Sequence, residues 1–305
     1  MDTLLAMSVF RRVVESGSFS AVASETNLTQ PTVSKHVAAL EQKLGSKLLK
    51  RSSRQLRLTE SGKEYYQRCV QILDAISEAE AHVRHEQTQI TGTLRLSTPI
   101  AYGRLQVIPH MRKFLAQHPG LKLDLILDDR TIDLVKEGVD LAVRMGPLSE
   151  SSLIATKIGD CPRIAVASPD YLADHGEPKT LSDLEAHDCL VFALHPAGNV
   201  WTFNGKEGIE KIQVSGRFSA NNPDAIREAV LSGLGIAIIP LWMVADYIDR
   251  GYLKAVLKDY KPMPMAVHAV YPERKLVPQK VKRLIEHLRS HFGVYKQPRL
   301  LARNG

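Results

Sequence analysis

The chain is poor in cysteine and lacks a long uncharged segment. Its three cysteines, Cys69, Cys161 and Cys189, are odd in number and have no metal-ligand spacing. Free thiols are typical of a reducing compartment, with a redox-sensing pair as the weaker alternative. The longest uncharged run, 229–245, is short for a membrane span and contains two glycines and a proline. No basic-then-apolar signal segment precedes the first helix pattern. We therefore expect a soluble cytoplasmic protein without a membrane partner.

A catalytic constellation is also missing from the sequence. Ser168 is not in a Gly-x-Ser-x-Gly setting. Gly233-Leu-Gly235 resembles part of a dinucleotide loop, but it follows a helix pattern and precedes a strand pattern, the reverse of the required order. Two histidine pairs have helical spacing without an evident third ligand: His82 with His85, and His287 with His291. We expect neither enzyme activity nor a bound cofactor or metal.

Acidic residues are almost absent from one segment near the amino terminus. Between residues 35 and 57 the only acid is Glu41, and the basic residues are Lys35, Lys43, Lys47, Lys50, Arg51, Arg54 and Arg57. A solvated helix face usually mixes charges, whereas a patch of one sign neutralises phosphates. Residues 1–58 carry +5 and residues 273–305 carry +7, which leaves the middle acidic. We interpret the carboxy-terminal charge as a solvated helix and a loose end.

Residues 18–40 have the pattern of two helices joined by a tight turn. Small residues at 21–23 allow close helix crossing, and Asn27 tolerates the left-handed backbone of a sharp turn. Thr29 is a good N-cap, and Pro31 falls in the first turn. Helical spacing predicts a buried face of Val33, Val37 and Leu40. The opposite face shows side chains that can contact bases or phosphates: Gln30, Thr32, Ser34, Lys35 and His36.

The pattern favours a winged helix-turn-helix, whose second helix enters the DNA major groove. Leu56-Arg57-Leu58 alternates as a strand of the wing would. Taken alone, the second helix fits an ordinary capped surface helix better than a DNA-reading helix. The basic wing shifts the balance towards DNA binding.

A long helix follows, with Thr59 as its cap and no breaker between residues 63 and 90. An apolar stripe steps along it at heptad spacing: Tyr65, Cys69, Ile72, Ile76, Ala79 and Val83. The stripe favours pairing with a helix of a second chain, and a plain amphipathic helix packed within one chain is the alternative. Polar residues 88–92 are interpreted as a hinge.

From residue 93 the pattern alternates between strands and helices. The first set predicts strands at 93–97, 121–127 and 140–144, with helices at 103–117 and 133–137. This order implies a parallel sheet with right-handed crossovers. A second set includes strands at 163–167, 190–192, 201–203, 212–218 and 236–239, and helices at 169–175, 224–232 and 241–250; a strand at 265–271 and a helix at 278–292 close the chain. The sequence thus predicts an α/β multidomain protein with two lobes and a cleft.

Over residues 1–292 the chain resembles the LysR-type transcriptional regulators. The motifs that carry the resemblance are Phe19-Ser-Ala-Val-Ala23, Gln30-Pro-Thr-Val-Ser-Lys35, Leu48-Leu-Lys-Arg51, Asp140-Leu-Ala-Val-Arg144, Ala167-Ser-Pro-Asp-Tyr-Leu172 and Gly233-Leu-Gly-Ile-Ala-Ile-Ile-Pro240. The resemblance implies an N-terminal winged helix-turn-helix (1–58), a dimerising linker helix (59–91), a two-lobed periplasmic-binding-protein-like effector domain (92–295) and a tail (296–305). Lobe I is expected at 92–162 and 266–295, and lobe II at 163–265. Expected partners are promoter DNA, a small-molecule effector, RNA polymerase and further copies of the chain as a homodimer or homotetramer.

The resemblance also assigns candidate DNA contacts. They are Thr29, Gln30, Pro31, Thr32, Ser34 and Lys35 in the turn and second helix, with Arg51 and Arg54 in the wing. We expect Gln30, Ser34 and Lys35 in the groove and the two arginines on the minor groove or phosphates. Pro31 can offer only apolar contact, for example to a thymine methyl.

The resemblance further implies effector contacts around the cleft between the lobes. The candidates are Ser97, Thr98, Pro99, Arg144, Gly146, Phe192, His195, Trp201, Asn221 and Asn222. A helix starting after Pro99 would aim free N–H groups at an anion, which makes an anionic effector one candidate. Helix capping alone explains Ser97, Thr98 and Asn221 equally well, and Arg144 could instead pair with Asp140 or another acid.

Two other classes of protein compete with this interpretation. A solute-binding protein would explain the two lobes but not the basic helix-turn-helix or the missing signal segment. An α/β enzyme with an added nucleic-acid domain would need a catalytic constellation, which a turnover screen would reveal.

Overall fold

The computed structural model describes residues 2–51, 56–83, 90–148, 152–195, 197–205, 208–273 and 277–292. Arg51 and residues 78, 79 and 81–83 are described by their backbone alone. In these parts of the chain, no helix is both long enough and apolar enough to cross a lipid bilayer.

The amino-terminal domain contains three helices and a hairpin: α1 (Thr3–Ser16), α2 (Phe19–Glu25), α3 (Gln30–Leu44), β1 (Leu49–Arg51) and β2 (Leu56–Leu58). Side chains of Asp2, Ser18 and Thr29 cap the three helices by accepting backbone N–H groups of the first turn. The strands pair antiparallel as the predicted wing. One core holds the domain together, and Phe10, Val33 and Leu40 are fully buried in it.

The linker helix α4 (Glu60–Val83) follows, and the Oγ1 of Thr59 accepts the N–H of Gly62 at 2.9 Å, as a capping residue does. Its apolar stripe has two environments. Tyr65 and Cys69 pack in the core of the amino-terminal domain, with Cys69 fully buried. Pairing with a second chain is therefore the wrong prediction for this first part, because α1 of the same chain covers it. Ile72 is 44% exposed, so pairing stays a prediction for the part beyond Cys69.

The rest of the chain forms two lobes. Lobe I begins with β3 (Gly92–Thr98), α5 (Ile100–Tyr102), a π-helical turn (Gly103–Val107), α6 (Ile108–Gln117), β4 (Leu121–Leu127), β5 (Leu141–Met145) and β6 (Leu153–Cys161). Lobe II contains β7 (Arg163–Ala167), α7 (Pro169–His175), a 3-10 helix (Ser182–Ala186), β8 (Val191–Phe192), β9 (Val200–Gly205), β10 (Gly208–Gln213), β11 (Ser219–Ala220), α8 (Pro223–Leu231), β12 (Ala237–Pro240), α9 (Leu241–Asp249), β13 (Lys254–Ala255) and β14 (Lys261–Pro262). The chain returns to lobe I with β15 (Met265–Pro272) and α10 (Gln279–His291).

The sheet of lobe I has the order β4-β3-β5-β15-β6. β3 is parallel to β4 and β5, as the strand-helix-strand pattern predicts, while β15 is antiparallel to β5 and β6. Lobe II has smaller sheets of order β12-β7-β13, β10-β9-β14 and β11-β8. The carboxyl ends of β3 and β5 therefore lie at the same edge of the lobe I sheet.

Several expected elements differ from the structure. Strand β6 has no counterpart in the prediction, since its mixed sequence lacks a clear alternation. The expected helix at 133–137 is only a turn, in which the N–H of Glu137 donates to the carbonyl of Asp133 at 3.0 Å. The expected strand at 212–218 is wrong beyond its first two residues, because β10 ends at Gln213 and β11 begins only at Ser219. The helix expected from residue 103 begins at Ile100, directly after Pro99.

Candidate DNA-binding surface and effector cleft

Helix α3 separates an inner from an outer face, as the sequence predicts. Val33, Val37 and Leu40 are at most 2% exposed. On the outer face Gln30, Pro31 and Lys35 are exposed, while Thr32, Ser34 and His36 are half-buried. Gln30 lies at the first position of the helix, where recognition helices commonly contact bases.

Two of the expected DNA contacts have a structural task at the start of α3. The Oγ1 of Thr29 accepts the N–H of Thr32 at 3.4 Å and lies 2.8 Å from the Oγ1 of Thr32. Asn27 has a φ of +54°, which supplies the sharp turn before the helix. Thr29 and Thr32 thus fix the backbone at the helix start.

Glu41 joins α3 to the wing, a role that is not predicted from the sequence. Its Oε1 accepts the N–H groups of Leu48 and Leu49 at 3.0 and 3.2 Å, and its Oε2 lies 2.7 Å from the Nζ of Lys47. Burial would raise the pKa of Glu41, but the Lys47 ammonium and the two backbone N–H groups outweigh burial and lower it. A lone acid in a basic segment was the available signal. Of the wing arginines, Arg54 and the side chain of Arg51 lie outside the described residues.

The carboxyl end of β3 forms one wall of the cleft. Ser97 and Thr98 are fully buried, and the Oγ of Ser97 has no hydrogen-bond partner within the described ranges. The hydroxyl of Thr98 donates to the carbonyl of Pro99 at 3.2 Å. A Cβ at Gly103 would lie 2.1 Å from the Oγ1 of Thr98, so only glycine allows the helix to approach this closely. Neither hydroxyl caps the helix that starts at Ile100.

Asp129 connects the two lobes and is not among the residues predicted from the sequence. Its Oδ1 accepts the N–H of Ile100 at 3.0 Å, at the helix start where an anion was expected. Its Oδ2 accepts the Nδ2–H of Asn222 in lobe II, also at 3.0 Å. Asn222 at the same time caps α8, because its Oδ1 accepts the N–H of Ala225 at 3.1 Å. The position of Asp129 just after β4, parallel to β3, was the available signal.

Arg144 lies at the end of β5, beside the same edge. Its NH1 donates to the carbonyl of Arg130 at 3.4 Å, and its NH2 is buried without a hydrogen-bond partner in the described part of the chain. Burial lowers the pKa of Arg144, and nearby Asp128 acts in the opposite direction. The alternative pairing with Asp140 is wrong, because Asp140 lies 3.4 Å from the Nζ of Lys280 at the other end of β5. Gly146 is buried, and its N–H donates to the carbonyl of Ala266, which starts the return to lobe I.

The other lobe II candidates are less closely grouped. Trp201 is 8% exposed and belongs to the lobe II core rather than an open wall, and half-buried Phe192 packs against the neighbouring core. The Nδ1 of His195 accepts the N–H of Ala197 at 3.2 Å, and burial together with nearby Arg163 lowers the pKa of His195. Asn221 is exposed. The structure thus joins Asn222 and the helix start after Pro99 through Asp129, with Ser97 and Thr98 at the end of the preceding strand and Arg144 on the neighbouring strand.

The three cysteines lie in three different cores. Cys69 is in the amino-terminal domain, Cys161 in lobe I and Cys189 in lobe II, and all are fully buried. Burial raises the pKa of each thiol to about 12. A redox pair within one chain is therefore excluded. Across the described residues no group of histidine, cysteine and acid side chains could hold a metal ion.

The chain matches two family models. Residues 4–63 match the model described as the bacterial regulatory helix-turn-helix protein of the lysR family. Residues 87–293 match the LysR substrate binding domain. Together they cover the amino-terminal domain, the first residues of α4 and both lobes.

Relatives and solved structures agree with these matches. The transcriptional regulator DmlR of Escherichia coli is 37% identical over 94% of each chain, and the transcriptional activator AaeR of the same species is 34% identical over 96% of this chain and 94% of its own. The structure of CrgA, a LysR-type transcriptional regulator from Neisseria meningitidis, superposes with a TM-score of 0.57 at 33% identity, covering 93% of this chain and 98% of CrgA. These relatives are regulators, and none of the three is described as an enzyme.

Proposed function

The chain belongs to the LysR family of transcriptional regulators, and from that membership we propose how it reads DNA and which class of effector it senses. It is a DNA-binding regulator with an effector-binding domain, not an enzyme. In the proposed mode α3 lies in the major groove with Gln30, Ser34 and Lys35 towards the DNA. Arg51 and Arg54 follow the adjacent backbone or minor groove, and Pro31 offers apolar contact. Thr29 and Thr32 act by fixing the helix start.

The division of α3 into a buried and an exposed face carries this proposal. One face of α3 packs in the domain core. The face with Gln30 and Lys35 is exposed and can therefore lie in a DNA groove. The wing continues the same positive surface through Lys50 and Arg57, which are paired across the hairpin. A helix with a polar exposed face beside a basic hairpin can contact bases and phosphates at the same time.

Capture of fragmented genomic DNA at two salt concentrations tests the proposal. We expect one or a few intergenic sites with a dyad pattern, retained at the higher salt, because base contacts add to phosphate contacts. Capture that ignores sequence and disappears with salt would instead indicate general phosphate affinity and contradict specific recognition.

The proposed effector is a small carboxylate bound between the lobes. Candidate contacts are Ser97, Thr98, Pro99, Arg144, Gly146 and Asn222, with Phe192, His195 and Asn221 as outer candidates. Asp129 supports an acidic ligand, because a carboxylate already accepts the helix N–H of Ile100 in this structure. Arg144 supports it as well, since its buried NH2 lacks an acceptor among the described residues. An effector carboxylate would take the place of Asp129 or accept from Arg144.

A panel of mono- and dicarboxylates can test the effector class by thermal shift. We expect one or a few members to raise the Tm, and Arg144→Met to lose at least about tenfold in affinity, as loss of a charged hydrogen bond to a buried ligand implies. The control Arg112→Met lies on the exposed side of α6 and should keep the response. A panel without any response, or equal responses in both variants, would contradict the anionic class.

We also propose that the regulator acts in the cytoplasm as a homodimer or homotetramer and contacts RNA polymerase. The heptad spacing of Ile72 and Ile76, in the part of α4 beyond Cys69, supports association along the linker helix, because apolar residues at this spacing favour pairing with a second helix. Mass measurement of wild type and Ile72→Glu tests this, and an unchanged oligomer would remove Ile72 from the interface. A joint footprint with RNA polymerase tests the second contact, and protection no larger than the sum of the separate footprints would contradict it.

A further inference from the structure

Four charged side chains connect the amino-terminal domain, α4 and lobe I. Asp74 on α4 accepts through Oδ1 from the NH1 of Arg11 on α1, at 2.9 Å. Its Oδ2 accepts from the Nζ of Lys280 on α10, at 3.0 Å. The same Nζ donates to the carbonyl of Thr93 at 2.6 Å and lies 3.4 Å from the Oδ2 of Asp140. We call Arg11, Asp74, Lys280 and Asp140 the junction.

The junction is largely withdrawn from water. The side chains of Asp140, Lys280, Asp74 and Arg11 are 6%, 10%, 13% and 19% exposed. Buried charges are tolerated when they are paired, and loss of one partner leaves the other uncompensated. The ion pair of Arg283 with Glu286 on the same helix α10 is 53% and 65% exposed, where such pairs contribute little. The two pairs therefore offer a matched comparison on one helix.

The backbone around the junction is shaped for close approach. Gly92 has a φ of +91°, and a Cβ there would lie 3.0 Å from the Oδ2 of Asp74. Gly138 has a φ of +65°, and its Cβ would lie 3.4 Å from the Cβ of Gln67 on α4. Two glycines thus let the start of β3 and the turn before β5 rest on the linker helix.

The same strands lead from the junction to the cleft. Thr93 and Asp140 lie where β3 and β5 begin, and Thr98 and Arg144 lie at the far ends of these strands. At about 3.3 Å per residue, five residues of β3 span roughly 17 Å. A strand is stiff along its length, so a shift at the cleft edge changes the position of the junction edge.

We propose that the junction positions the amino-terminal domain on lobe I and is the contact through which the cleft acts on DNA binding. Regulation through this contact rests on the proposed function, whereas the positioning does not. Arg11 is the residue of the amino-terminal domain in the contact, Lys280 and Asp140 are those of lobe I, and Asp74 bridges them.

Distances between spin labels test the positioning without DNA or effector. The label pair is Ser24→Cys on α2 and Lys157→Cys on β6, with labelled chains diluted into unlabelled protein so that only distances within a chain are measured. The native thiols are buried and should stay unlabelled. We expect a narrow distribution in the labelled parent and roughly a twofold broadening in Lys280→Met and in Asp74→Asn, since each removes the buried ion pair between α4 and lobe I. The double variant should be no broader than either single one, because the two residues share one interaction.

The control Arg283→Gln should keep the narrow distribution. Arg11→Met changes only the amino-terminal side of the junction. A broader distance distribution in this variant would show that the broadening in Lys280→Met does not come from unfolding of lobe I. Unchanged widths in Lys280→Met and Arg11→Met, or equal broadening in Arg283→Gln, would overturn the junction.

DNA containing one or two half-sites supplies a second readout. Lys280→Met should weaken binding to a captured dyad site about tenfold, because misplaced DNA-binding domains lower the effective concentration for binding the second half-site. Binding to DNA with a single half-site should not change. Equal weakening on both DNAs would contradict positioning. A capture experiment without specific sites would refute the proposed function, while the spin-label result would still decide the junction.

Discussion

Gln30→Ala is expected to weaken binding to the captured DNA site about tenfold or more, because a base contact typically contributes about 1–3 kcal/mol of discrimination. The variant should also bind altered bases at one position almost as well as the original ones. Gln30 is exposed at the first position of α3, and its amide can donate to and accept from a base edge. The salt dependence should not change, since Gln30 carries no charge.

Lys35→Ala provides the complementary result in the same titrations. Removal of one phosphate contact should lower the slope of log affinity against log salt by about 0.9 and weaken all sequences alike. Lys211→Ala, on the exposed β10 of lobe II, is the control with the same loss of charge far from α3. Anisotropy titrations at several salt concentrations measure these effects. Gln30→Ala binding with wild-type affinity and base preference would remove α3 from the groove in the proposed orientation.

Glu41→Gln is expected to destabilise the amino-terminal domain by about 2 kcal/mol, the range for a buried hydrogen bond to a charged group. The carboxylate of Glu41 accepts two backbone N–H groups of the wing and pairs with Lys47. An amide keeps only part of this arrangement, because it has one oxygen and no charge. The loss of stability should affect both the wing and α3 and thereby weaken DNA binding.

The pH dependence of the variant follows from the lowered pKa of Glu41. A carboxyl group with a folded pKa below its unfolded value of about 4.3 adds stability above that pH and loses it as the pH falls through the folded value. Wild type should therefore lose this contribution in acid, and Glu41→Gln should lack that part of the pH dependence. The difference between the two proteins shrinks below pH of about 4.

Hydrogen exchange of amides in α3 and β1 measures the effect locally, because the tryptophans lie at 201 and 242 in lobe II and do not report on this domain. Glu60→Gln is the matched control, since Glu60 is 91% exposed and pairs only at the surface with Lys63. Equal exchange in Glu41→Gln and Glu60→Gln at neutral pH would refute the stabilising role of Glu41.

The elements that the sequence predicts well are those whose signals are local. Thr29 caps α3, Asn27 adopts the left-handed turn, and Val33, Val37 and Leu40 are buried as their spacing indicates. The same holds for Leu121–Leu127, whose alternation and flanking breakers define a strand. Charge bias and helix-turn-helix spacing indicated DNA binding, and the family models agree.

Predictions were weaker where a partner element decides the environment. The stripe on α4 has heptad spacing, yet Tyr65 and Cys69 are covered by the same chain, because periodicity defines a face without naming what covers it. Trp201 fits a ligand wall by residue type, but its position in β9 directs it into the lobe II core. The sequence of β6 does not alternate between apolar and polar residues, so it gave no signal for a strand. This segment is a strand because it pairs with β15.

By itself, the sequence determined the family, the helix caps, the basic wing and the order of strands and helices, because each depends on residues close together in the chain. The tertiary structure decided that Asp129 meets Ile100 and Asn222, that Glu41 holds the wing, and that Asp74 meets Arg11 and Lys280. Asp129 and Asn222, like Asp74 and Lys280, are far apart in sequence. Their contact depends on sheet order and on how the chain returns to lobe I, and neither leaves a periodic signal in the residues themselves.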